Sequence, residues 1–141
     1  MAKPLVTCLW FDGQAEAAAN YYCTVFKDSK ITQVTPMVVT FELNGNKFMG
    51  LNGGPQFKFD EAISLMVNCD SQDEIDYYWD TLSQNGGEES VCGWLKDKFG
   101  LSWQIVPANL GELMAEPEKA QRVMEKVLKM KKIDKTVLEN A

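Results

Sequence analysis

The stretch DGQAE, Asp12–Glu16, returns as DSQDE, Asp70–Glu74, after a shift of 58 residues. Each copy follows an apolar run and precedes apolar residues at helical spacing, so each marks the passage from a strand into a helix. Before the first lies PLVTCLWF, Pro4–Phe11, apolar on both faces. Asp12 is its candidate helix cap, and Ala15, Ala18, Ala19, Tyr22 and Phe26 share one helical face. Before the second lies AISLMVNC, Ala62–Cys69, with Asp70 or Ser71 as the cap. Ser71 and Glu74 have capping-box spacing, Ile75, Tyr78, Trp79 and Leu82 form the buried stripe, and Gly86-Gly87 ends the helix.

The strands that follow repeat as well. After the first helix come KITQVT (30–35), then MVVTFEL (37–43) and NKFMGLN (46–52) joined by Asn44-Gly45, a strong hairpin signal because both residues accept positive φ. After the second come ESVCGWLKD (89–97) and LSWQIVP (101–107), about a turn at Phe99-Gly100. A shift of 55 lays Gly45 on Gly100, Phe48 on Trp103 and Leu51 on Val106. The expected class is therefore α+β, a duplicated β-α-β-β-β module in a single domain of 141 residues. Module one spans about 1–54 and module two about 60–108, with LNGGPQFKF (51–59) as the joint. A helical tail takes 109–141, with Pro117 as helix starter and Ala120, Val123, Met124, Val127 and Leu128 on one face. That apolar stripe needs a surface, either its own domain or a second subunit.

Apolar residues make up 45% of the chain and charged residues 24%, the balance of a globular protein. Fourteen basic against twenty acidic residues, a net charge of −6, argue against nucleic acid and anionic membrane as partners. The bunched Lys126, Lys129, Lys131, Lys132 and Lys135 read as cations suited to a helix C-terminus. No run is long enough to cross a bilayer, and the N-terminal residues lack a signal-peptide pattern, so the expected location is the cytoplasm. The four cysteines, Cys8, Cys23, Cys69 and Cys92, are read as reduced thiols. There is no histidine, which removes the commonest transition-metal ligand and general base.

Three blocks, LWFDGQAEAAANYYCTVFKDSKI, LNGGPQFKFDEAISLMVNCDSQDE and CGWLKDKFGLSWQIVP, resemble the PhnB-like family of the vicinal oxygen chelate superfamily. That superfamily also holds glyoxalase I, the bleomycin- and fosfomycin-resistance proteins and the extradiol dioxygenases. The late run KAQRVMEKVLKMKKID is typical of the same family. The resemblance implies paired modules closing into a curved eight-stranded cup, and a homodimer. It also implies a divalent cation held by His and Glu of the first and last strands of each module. The positions matched here read Leu5, Met49, Ile63 and Gln104, and only Gln104 offers an oxygen. No metal and no cofactor are therefore expected. Where relatives frequently carry histidine, this chain has Gln56.

The expected ligand-binding set is Trp10, Asn52, Gln56, Phe57, Trp94, Trp103 and Gln104. The aromatics serve either as core or as walls for a flat apolar ligand. The amides serve either as turn caps or as ligand contacts. Cys92 lacks a histidine to activate it and reads as an inert thiol; Glu42, Glu61 and Glu88-Glu89 read as solvated charge. Three functions stand. One is a metal-free small-molecule binding protein. The second is a metal-dependent lyase, isomerase or resistance enzyme using carboxylates. The third is the methyltransferase of the family's common label, 3-demethylubiquinone-9 3-methyltransferase, although no glycine-rich strand-to-helix turn for a methyl donor is present.

Overall fold

The computed structural model describes residues 1–141, in two compact units, Met1–Phe59 and Asp60–Ala141. The first unit runs β1 (Thr7–Phe11), α1 (Ala15–Val25), β2 (Ser29–Val34), β3 (Val38–Leu43) and β4 (Asn46–Asn52). Its four-stranded mixed sheet has the order β1-β4-β3-β2, with β1 parallel to β4 and the other pairs antiparallel. The second unit runs β5 (Ser64–Cys69), α2 (Gln72–Ser83), β6 (Glu88–Glu89), β7 (Trp94–Lys96) and β8 (Ser102–Pro107). Its order, β5-β8-β7-β6, repeats the same topology with the same single parallel pair. The duplicated β-α-β-β-β module and the α+β class are thus the architecture found. Helices α3 (Leu110–Leu113), α4 (Pro117–Val127) and α5 (Lys135–Glu139) form the tail.

In the first unit, small residues let α1 approach the sheet. A Cβ on Gly50 would stand 3.0 Å from Ala15 Cβ, and Ala15, Ala18, Ala19 and Tyr22 are all buried. Asp12 does not cap this helix. Gln14 takes the cap position without a side-chain bond, and the first helical amide, Ala15 N, donates instead to Asn52 Oδ1 of β4 at 2.9 Å. The second helix follows its sequence signal: Ser71 accepts from Glu74 N at 3.2 Å, while Glu74 reaches back to Asp70 N at 2.9 Å.

The first unit includes the segment after β4, where the Phe57 ring lies on Trp10, centroids 4.9 Å apart, and the Phe59 ring lies on Phe11 at 5.4 Å. One strand differs from the sequence reading. The expected strand 89–97 is broken in two. Cys92 (φ 61°) and Gly93 (φ 82°) are both left-handed, and their amides turn away to Met130 O and Lys131 O, each at 2.8 Å.

Those two bonds dock the tail on its own unit. Gln72 of α2 completes the clasp: its Nε2 donates to Ile133 O at 2.9 Å, and its Oε1 accepts from Lys135 N at 2.8 Å. Leu113, Val123, Val127, Ile133 and Leu138 close a core of their own, with Cys92 packed against it. Of the expected α4 stripe, Val123 and Val127 are buried, whereas Met124 and Leu128 are exposed. No helix is long and apolar enough to cross a membrane.

Candidate functional site

In the first unit the GGP segment exists to lie on an indole. Trp10 Nε1 donates to Gly54 O at 2.8 Å, and a Cβ on Gly53 would fall 2.3 Å from the Trp10 ring. Only glycine permits that approach. Phe57 meets the same indole edge-on, so Trp10 and Phe57 come together, with Phe57 largely exposed. Asn52 commits its amide to framework: Oδ1 to Ala15 N, and Nδ2 to Pro36 O at 3.0 Å. Gln56 is exposed on the following turn.

The second unit contains a cavity of about 440 Å³ on the sheet face away from α2, walled by Trp94, Lys96, Ser102, Cys92, Glu61 and Glu88. Strand register explains why these meet. Glu88, Lys96, Ser102 and Ser64 are successive partners across β6, β7, β8 and β5, a polar row one strand-layer from Trp94, Gln104 and Met66. Lys96 Nζ pairs with Glu61 Oε1 at 2.7 Å; that hydrogen bond, helped by the nearby Glu88, raises the Lys96 pKa. Gln104 Nε2 donates to Ser64 Oγ at 2.9 Å. Ser102 is fully buried, and its hydroxyl has no hydrogen-bond partner.

Trp94 and Gln104 are neighbours across the β7–β8 pair, and Trp94 lines the cavity. Trp103 is not with them. It lies on the opposite face, buried, its Nε1 held by Asp97 Oδ2 at 2.8 Å. Sequence reasoning passed over Lys96 and Ser102 and left Glu61 and Glu88 as solvated charge. The available signal was period-two alternation: Lys96 shares Trp94's face of β7, and Ser102 shares Gln104's face of β8.

The positions implied for a metal do not suit a divalent cation. Leu5 and Ile63 precede β1 and β5, and the true first-strand neighbours of Met49 and Gln104 are Cys8 and Met66. The first unit then offers a thiol and a thioether, the second a thioether and an amide, with no anionic oxygen in either pair. No three Cys, Asp or Glu side chains converge so as to hold an ion.

Against known proteins, the family model described as 3-demethylubiquinone-9 3-methyltransferase matches residues 3–106 and leaves the tail outside. A PhnB protein from Bacillus cereus, described with the same activity, is 32% identical over 74% of this chain and 99% of its own, with a TM-score of 0.68. A Pseudomonas aeruginosa protein, 17% identical over 75% of this chain and 98% of its own, superposes with a TM-score of 0.63. A glyoxalase-related enzyme from Fulvimarina pelagi, 14% identical over 72% and 86%, gives 0.52. The last two share the fold. None of the curated proteins is similar to this chain.

Proposed function

The chain belongs to the 3-demethylubiquinone-9 3-methyltransferase family, of PhnB type, with the glyoxalase/bleomycin-resistance fold, and from that premise we propose that it is a small-molecule binding protein. The ligand seats in the second unit's cavity, against Trp94 and without the superfamily's metal. The observation that carries this reading is the 440 Å³ cavity, which joins an indole wall to a few convergent polar groups. Lys96 and Ser102 supply polar points beside that wall.

Methyl transfer is supported less well than binding. A nucleoside methyl donor is ordinarily held at a glycine-rich turn of a doubly wound parallel sheet. Each sheet here has one parallel pair, and β1 passes to α1 through Asp12, Gly13 and Gln14, with one glycine. The proposal includes a reducing cytoplasmic setting, which suits four free cysteines. It also includes a homodimer, which suits apolar side chains left exposed in each unit, Val34 and Met37 in one, Ile63 and Met66 in the other.

A thermal-shift screen of small molecules tests the binding reading, because a ligand selective for the native state adds about 2.7 kcal/mol of stability at a hundred times its Kd and so raises Tm. Hits should lose their shift in Trp94→Leu and keep it in Phe57→Leu. Hits indifferent to Trp94 would place the site elsewhere. Sedimentation at micromolar concentration decides the dimer.

A further inference from the structure

Resting on the cavity as the ligand site, the geometry points to a narrower assignment: it takes an organic cation, a protonated amine or quaternary ammonium carried on a flat apolar body. Glu61 and Glu88 face Lys96 at the cavity, so two carboxylates and one ammonium leave a net charge of −1, with Glu89 at the rim turned toward α2. Lys96 is occupied by Glu61 at 2.7 Å, and Glu89 Oε1 accepts from Trp79 Nε1 at 2.8 Å. Glu88, opposite Lys96 across the β6–β7 pair, is exposed and stands outside both bonds, which leaves it ready for a ligand cation.

Two further features suit such a ligand. The Ser102 hydroxyl, in a residue 0% exposed and adjacent to Lys96 in register, has no partner. An orphaned buried hydroxyl costs about 1–3 kcal/mol, and an N–H donor from the ligand relieves it. The Trp94 indole also lines the cavity, and indole is the aromatic face that attracts a cation best. A carboxylate ligand would have to detach Glu61 from Lys96 and then sit beside Glu88. A neutral ligand would leave Glu88 unused.

Calorimetric titration of the full chain with tryptamine, tryptophol and indole-3-acetate separates the cases, since the three share a ring and are cationic, neutral and anionic. Tryptamine should bind about tenfold more tightly than tryptophol, with indole-3-acetate weakest. Glu88→Gln, an exposed position whose fold circular dichroism will verify, should remove several-fold of the tryptamine preference and leave tryptophol unchanged. Trp94→Leu should weaken all three. If tryptophol or indole-3-acetate equals tryptamine in a Trp94-dependent manner, the cation assignment fails while the ligand site stands. A tryptamine preference insensitive to Glu88→Gln overturns the assignment as well. No binding by any probe at millimolar concentration removes the cation assignment, and the broad thermal-shift screen then decides the ligand site separately.

Discussion

Trp103 Nε1 donates to Asp97 Oδ2 at 2.8 Å, and both residues are 2% exposed. The second Asp97 oxygen accepts Phe99 N at 2.9 Å and Leu101 N at 3.1 Å. A single buried carboxylate therefore sets the turn between β7 and β8 and anchors the indole at the start of the returning strand. The DKFGLSW block is a folding device, and it explains why Trp103 faces away from the cavity that Trp94 lines.

Asp97→Ala should cost about 3 kcal/mol or more, because it orphans three donors in a dry setting. Asp97→Asn keeps the shape and should cost less. Urea unfolding of both variants checks the order, and an alanine variant as stable as the parent would contradict this account.

Gly53→Ala should cost about 1–3 kcal/mol through overpacking, since the new methyl lies 2.3 Å from the Trp10 ring unless the indole moves. The near-UV circular dichroism of the protein should change with it. Trp10→Ala combined with Gly53→Ala should recover part of the loss, a coupling measurable in a double-mutant cycle.

Tail docking should weaken in acid. The hydrogen bonds from Lys132 and then Gln72 hold Asp76 below the usual carboxylate range, with Lys132 Nζ 2.8 Å away. A depressed carboxyl contributes stability above its unfolded pKa and loses it as the pH falls through the folded value. Lys132, raised chiefly by its hydrogen bond to Asp76, contributes below its unfolded pKa and loses that as the pH rises through the folded value. The pair therefore works between those limits. Both groups are more than a third exposed, so its worth is only about 0.5 kcal/mol. Amide protection factors at Met130–Lys135, exchange rates corrected for the intrinsic slowing of exchange in acid, should fall about twofold as Asp76 is protonated, and Asp76→Asn should abolish that fall. Gln72→Ala should open the same segment at every pH.

Cys69 should resist alkylation in the native protein. Burial first, then Glu74 and Asp70, push its thiol up to about 12. At pH 8 only about one molecule in ten thousand then carries the thiolate. Cys8 is exposed and should react first with iodoacetamide, an order that peptide mass spectrometry reads directly.

Much of the fold was legible. The repeated D-x-Q-x-E marked both strand-to-helix passages, Asn44-Gly45 fixed a hairpin with φ of 49° and 79°, and the Ser71 cap stands where its spacing placed it. These signals are local, carried by a few adjacent residues. Asp12 misled because the competing cap, Asn52, arrives from a distant strand. Of the residues that line the candidate cavity, Trp94 had been singled out, whereas Lys96, Ser102 and Glu88 carry no motif.

The sequence by itself determined the doubled module, its two helices, the Ser71 cap and the poverty of metal ligands, since periodicity, turn chemistry and residue type need no partner. Only the tertiary structure decided that the tail clasps its own unit through Gln72, that Trp103 belongs to Asp97, and that Glu88, Lys96 and Ser102 share a row. Register and long-range hydrogen bonds join residues far apart in the chain, and no local pattern encodes which distant group will satisfy a given donor.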